Sequence, residues 1–173
     1  YDFGPADTLM MFNQMRANAV SERSRDNQFV IIAPTRHCSH SAATERTIVG
    51  ERDLGDARKG YVDLYLDWYD YWLKGDDNGV VGMPRVQYYL MGMNEWRSAD
   101  TWPPAGTSFE KLYLHSGGRA NSRFGDGSLS TSEPATEPSD RFAYDPATPV
   151  MSLGGQACCT GMRTGQGGYD QSV

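Results

Sequence analysis

The sequence predicts an α/β segment followed by an all-β segment. Three observations carry this. The run Phe29-Val30-Ile31-Ile32 is continuously apolar and stops at Ala33-Pro34. Helical periodicity appears on both sides of that run, at Leu9, Phe12, Met15 and Ala19 and again between Ala57 and Lys74. Beyond Gly75-Asp76-Asp77-Asn78-Gly79 the helical period disappears, and short strand-like runs alternate with stretches rich in Gly, Pro, Ser and Thr. Helix, strand and helix in succession read as α/β, and the later pattern reads as the start of an antiparallel β-domain.

Each element follows from local signals. Gly4-Pro5 makes a turn, and Asp7-Thr8 can cap a helix from about Leu9 to Ala19 whose apolar residues share one face. The charged stretch Ser21 to Asn27 is expected as a loop. Phe29 to Ile32, apolar at every position, suits a strand covered on both faces in a largely parallel sheet. A polar loop then runs from His37 to about Gly55. The second helix, Ala57 to Lys74, is stopped by Gly75. Lys59, Asp63, Asp67, Asp70 and Lys74 form its polar stripe, and Tyr61, Leu64, Tyr65, Trp68, Tyr69, Trp72 and Leu73 form a wide aromatic face that calls for burial against something large. Arg85 to Met91 and Lys111 to His115 read as strands, and the domain boundary is expected near Val81. That gives an α/β part over 1–81 and a β part over 82–173.

Composition narrows the function. A chain of 173 residues with 39% hydrophobic residues and 12% aromatics can bury a core, which argues against disorder. The net charge of −6, with scattered Lys and Arg, offers no basic patch, so no nucleic-acid partner is expected. No apolar run approaches the roughly 20 residues of a membrane span, so no membrane partner is expected either. Cys38, Cys158 and Cys159 are odd in number and two are adjacent, which is no disulfide framework and leans toward a reducing compartment. The start at Tyr1-Asp2-Phe3-Gly4 reads as the interior of a longer protein, and localisation stays open.

The residues that carry chemistry are Asp2 and His37. A histidine directly after a buried strand and a proline is where a sheet presents a base at its C-terminal edge. One helix–loop–strand unit separates it from Asp2 and would bring both side chains to the same edge. Aspartate followed by histidine, with a nucleophile earlier, is the chain order of the α/β-hydrolase triad. Taken alone, His37 reads first as a structural loop histidine and Asp2 as a turn carboxylate. His37, Cys38 and His40 are too close in sequence for ordinary zinc spacing and no second pair stands nearby, so no metal is expected. Asp76-Asp77-Asn78-Gly79 lacks the alternation of a calcium loop and reads as a connector. Gly127-Ser128 lies in no Gly-x-Ser-x-Gly context and reads as a turn.

The motifs resemble those of the CocE/NonD hydrolases, the cocaine esterase and X-prolyl dipeptidyl-peptidase group of α/β-hydrolases, over nearly the whole chain. Tyr1-Asp2 resembles the segment holding the triad aspartate, and Ala33-Pro34-Thr35-Arg36-His37 the Gly-Pro-Trp-x-His segment holding the triad histidine. Trp72-Leu73-Lys74-Gly75 with Asn78-Gly79, then Pro84-Arg85-Val86, Met91-Gly92 and Trp96-Arg97 follow in order. Trp102-Pro103-Pro104, Tyr113-Leu114, Tyr144-Asp145-Pro146, Pro149-Val150, Gly154-Gly155 and Asp170-Gln171 continue the pattern. Ala33 stands where the family has Gly and Thr35 where it has Trp, which removes an aromatic wall beside the histidine.

The resemblance implies the C-terminal segment of an α/β-hydrolase sheet over 1–81, joined to a partial jelly-roll over 82–173. It implies a serine hydrolase of esters or amides, X-Pro dipeptides among them, working through an acyl-enzyme without cofactor. Asp2 and His37 would be catalytic, Tyr1 would line the substrate pocket, and the nucleophilic serine, the cap and one oxyanion donor would precede Tyr1. Completion would then come from a missing N-terminal part or a complementing chain, a homo-oligomer included. The rival reading is a non-catalytic carbohydrate-binding or interaction fragment, in which Trp96 or Trp102 would stack on a sugar ring.

Overall fold

A computed structural model describes residues 4–154 and 167–172. They form two compact units. One holds the described residues up to Ala105 together with those from Leu153 to Asp170, and the other those of Gly106–Ser152 and Gln171–Val173.

The first unit opens with helix α1 (Pro5–Asn18). It begins before the expected Asp7-Thr8 cap, because Pro5 sits in the first turn, where its missing N–H costs nothing. Thr8 instead donates its hydroxyl and its backbone N–H back to the Gly4 carbonyl. The expected loop that follows holds a short helix, α2 (Glu22–Asp26), capped by the Ser21 hydroxyl, which accepts from the Ser24 N–H. Strand β1 (Val30–Ile32) comes next.

A short ladder of β2 (Ile48–Val49) and β3 (Arg52–Asp53) interrupts the polar loop, turning at the left-handed Gly50. Helix α3 (Tyr61–Tyr69) starts four residues later than its periodicity suggests. Arg58 and Lys59 are drawn elsewhere, Arg58 to Asp56 and Glu45 and Lys59 to the Gln87 side chain. The helix widens into a π-helical turn over Asp70–Lys74 and stops at Gly75, whose φ of 83° only glycine adopts without strain.

Strands β4 (Val86–Leu90) and β5 (Glu95–Ala99) form a hairpin, and β4 pairs in parallel with β1. The sheet order is β1-β4-β5, so β1, α3 and β4 make one parallel crossover. This pairing ties β4 and β5 to β1, and the first compact unit continues to Ala105. Strand β5 was not expected, because Trp96 and the charged residues around it obscure the alternation.

Two small cores hold this unit. On one face of the sheet, Phe12 of α1 packs with Val30 and the fully buried Val86, backed by Leu9, Ile32, Tyr88, Ala99 and Trp102. The second cluster joins Val49, Leu54, Ala57 and Tyr89, with the Tyr89 hydroxyl donating to the Leu54 carbonyl. Helix α3 uses Tyr61, Leu64 and Trp68 as its inward positions, with Trp68 meeting Phe29 edge-on at 5.5 Å. Trp72 is half-buried against Trp68, Tyr71 and Arg23, while Tyr65, Tyr69 and Leu73 stay open at 47%, 59% and 77% exposure. Three strands give that face less to pack against than its width calls for.

In the second unit, β6 (Tyr113–His115) pairs antiparallel with β7 (Ser128–Ser130). The turn expected at Gly127-Ser128 is corrected here. Ser128 opens a strand, because Leu129 and Ser130 pair with Leu114 and Tyr113. No helix of the described residues is long and apolar enough to cross a membrane.

Candidate functional site

The chain leaves β1 through Ala33 and the buried Pro34 and enters a tight turn over Arg36–Ser39. The Ser39 N–H donates to the Arg36 carbonyl at 3.0 Å, and the Ser39 hydroxyl donates to the His37 carbonyl at 3.0 Å. Cys38, between them, has a φ of 54°, a left-handed conformation that a residue with a Cβ adopts at a cost. This strained turn sets His37 half-buried at the C-terminal edge of the sheet.

His37 lines a cavity of about 490 Å³. Its lining includes Ile32, Pro34, Thr35 and Cys38 from β1 and its loop, and Gly4, Pro5 and Thr8 at the start of α1. The start of α1 and the histidine loop therefore share one cavity. Tyr1 and Asp2, the other expected site residues, lie outside the described residues, as do Cys158 and Cys159.

The loop is fastened to α3. The His40 Nε2 lies 2.9 Å from the Tyr65 hydroxyl, and the His40 ring meets Tyr61 edge-on at 4.8 Å. Both tyrosines come from α3, so the helix after the loop ties down the loop itself. Tyr61 is 6% exposed, and burial together with the neighbouring Tyr65 pushes its phenol up to about 12. It is a neutral packing phenol at ordinary pH, not a base. Periodicity put Tyr61 and Tyr65 on the aromatic face of a helix, but nothing in the sequence pairs Tyr65 with His40, 25 positions away.

His37, Cys38 and His40 all border the cavity, yet among the described residues no three His, Cys, Asp or Glu side chains converge as metal ligands would. The two tryptophans weighed as sugar platforms are engaged in packing. Trp96 meets Tyr89 edge-on, carries the Lys59 ammonium over its ring and donates its indole N–H to the Arg58 carbonyl. Trp102 packs edge-on against Tyr88 beside the Phe12 core.

Sequence comparison bears on the same residues. The chain is 33% identical over 159 residues, 90% of its length, to the cocaine esterase of Rhodococcus sp. (strain MB1 Bresler), and that alignment spans 26% of the esterase. It is 46% identical over 49 residues to the "Putative serine esterase" of Mycobacterium bovis (strain ATCC BAA-935 / AF2122/97), and to its namesake in Mycobacterium tuberculosis (strain CDC 1551 / Oshkosh). Those stretches cover 28% of the chain and 8% of each mycobacterial protein. The chain thus spans about a quarter of the length of the cocaine esterase it matches. Residues 78–165 match the X-Pro dipeptidyl-peptidase C-terminal non-catalytic domain, a match that begins well after His37. With about half of its length in that match, the chain belongs to the family of the X-Pro dipeptidyl-peptidase C-terminal domain, the CocE/NonD group that its motifs resemble.

Proposed function

We propose that this chain supplies the aspartate and histidine of a serine hydrolase that cleaves esters or amides, X-Pro dipeptides among them, with the nucleophilic serine contributed from outside these residues. In this reading residues 1–81 are the C-terminal part of an α/β-hydrolase catalytic domain and 82–173 a partial jelly-roll. The observation that carries it is the shared cavity. His37 follows a strand of a parallel pair and lines a cavity also lined by Gly4 and Pro5, which follow Asp2 by two and three positions. The esterase names of the relatives support the reaction class, and the start of the family match at residue 78 supports the domain division.

The chemistry assigned to the residues is acyl transfer. His37 takes the proton as the serine hydroxyl attacks the carbonyl carbon, then delivers it to the departing alkoxide or amine. Asp2 holds the other ring nitrogen as a donor and stabilises the imidazolium. Water repeats the cycle on the acyl-enzyme and regenerates the serine. Tyr1 lines the substrate pocket. No step calls for a cofactor or a metal. Substrates are small esters, amides or peptides, and completion comes from an N-terminal part, a complementing chain or a second copy.

The test is intact mass before and after a fluorophosphonate, made on the full-length protein beside its His37→Ala variant. A single adduct on the wild type, with turnover abolished but folding kept in the variant, is expected. Retained turnover in His37→Ala refutes the assignment.

A further inference from the structure

The second unit holds a side-chain cluster that the proposed hydrolase does not use. His115, the last residue of β6, has both ring nitrogens against acceptors. Its Nδ1 lies 2.7 Å from a Glu137 carboxylate oxygen, and its Nε2 lies 2.9 Å from the Ser132 carbonyl oxygen. Neither partner has a proton to give: a carbonyl never donates, and an ionised carboxylate only accepts. A neutral imidazole carries one N–H and would turn a lone pair toward one of the two oxygens. Only the imidazolium donates to both.

The geometry points to His115 as a charge-dependent latch: protonated, it clasps Glu137 and Ser132 together and holds the 132–137 segment on β6, and on losing its proton it keeps only one of the two.

The surroundings favour the charged state. The other Glu137 oxygen accepts the Ser116 N–H at 3.0 Å, so the carboxylate is already oriented toward β6. The Ser116 hydroxyl donates to Asp140 at 2.7 Å and reaches Asp126 at 3.3 Å, which brings two more carboxylates to the end of the strand. Asp140 also accepts the Ala120 N–H, and Asp126 the Arg119 backbone N–H. The ionisable side chains around the adjoining cavity are His115, Glu137 and Asp140, and no Lys or Arg side chain lines it. His115 thus answers to Glu137 and to the Ser132 carbonyl, and Ser116 links Glu137 to the two aspartates only through its own backbone and hydroxyl. Hydrogen bonding to Glu137 raises the His115 pKa, and hydrogen bonding to His115 lowers that of Glu137.

The sign follows. The histidine's contribution is complete below its ordinary pKa of about 6.5 and is lost as pH rises through the raised folded value. The glutamate's contribution is present above its ordinary value near 4.5 and is lost as pH falls through the lowered folded value. The latch is therefore closed in mildly acidic solution and opens on the alkaline side.

The test is an NMR titration of the full-length protein with its histidine rings labelled with ¹³C and ¹⁵N, His115 being assigned by its loss in His115→Gln. The expected result is a pKa above about 6.5, with both ring nitrogens showing N–H character below it, and a fall of about half a unit or more in Glu137→Gln. The ¹⁵N signature is read on the wild type, so the idea stands or falls even if Glu137→Gln fails to fold. A pKa at or below the ordinary value, or a His115 that keeps a single-tautomer pattern at pH 5, overturns it.

Discussion

Phe12→Ala is the perturbation that most directly tests how α1 is held beside His37. Phe12 is the one buried residue of α1, at 5% exposure, while Met10 and Met11 beside it are 60% and 57% exposed. The phenyl ring fills the space over Val30 and Val86, and Arg16 covers it at 5.5 Å while donating to the Asp100 carbonyl. A buried aromatic removes at least about 150 Å² from water, which at ~25 cal/mol/Å² is about 4 kcal/mol. That falls inside the 3–5 kcal/mol range for Phe→Ala in a core. The open flanks of the helix let it settle partly into the gap, so a loss of about 3 kcal/mol is expected, against roughly 0.5 kcal/mol or less for Met10→Ala. Urea unfolding of the two variants measures the difference, and hydrogen exchange shows whether α1 amides lose protection first. If the two substitutions cost the same, or Phe12→Ala costs less than about 1 kcal/mol, the anchoring role of Phe12 is refuted.

Other outcomes are as definite. Tyr89→Phe removes the donor to the Leu54 carbonyl inside the second core and should cost about 1–2 kcal/mol in urea unfolding. Gly50→Ala should cost more than about 1 kcal/mol, since Gly50 has a φ of 66° and a Cβ there would meet the Gly168 carbonyl oxygen at 2.6 Å; a Tm equal to the wild type would contradict that contact. Asp53 and Asp56 are both held below the usual carboxylate value, Asp53 first by the Gly55 N–H and then by Arg46, Asp56 by Arg58. Their contributions are present above about pH 3.8 and are lost as pH falls through the lowered values. Asp53→Asn should therefore flatten the acid limb of a Tm-against-pH curve and leave its neutral limb sloping as before. Tyr65→Phe deletes the hydroxyl that meets His40 and should raise hydrogen exchange in the 37–42 loop while moving global stability by only about 1 kcal/mol.

What the sequence made legible follows periodicity and local turn chemistry. The run Val30-Ile31-Ile32 and the Leu9/Phe12 spacing led to β1 and α1, because burial on a sheet writes itself directly into apolar positions. Gly75 marked the end of α3 where a left-handed backbone favours glycine, and Pro34 marked the end of β1. The short pairs β2 and β3 left no trace, being two residues each, and β5 was hidden by Glu95, Arg97 and Ser98 on its exposed positions. For the candidate site, the position of His37 after a strand was readable, whereas the presence of Gly4 and Pro5 in the same cavity depends on how α1 packs on the sheet. The His40–Tyr65 and His115–Glu137 links join residues more than twenty positions apart. No propensity or spacing rule connects such pairs, so only the folded chain reveals them.

The parallel pairing of β1 with β4 sets an order of events as the chain folds. The β4–β5 hairpin joins neighbours in sequence and can close in roughly 1–10 µs. Val30 meets Val86 only after the whole of α3 and its flanking loops lie between them, and such distant pairing is the slow part of folding. On a ribosome β1 emerges first and its partner much later. The pairing of β1 with β4 therefore waits until all of α3 has been made.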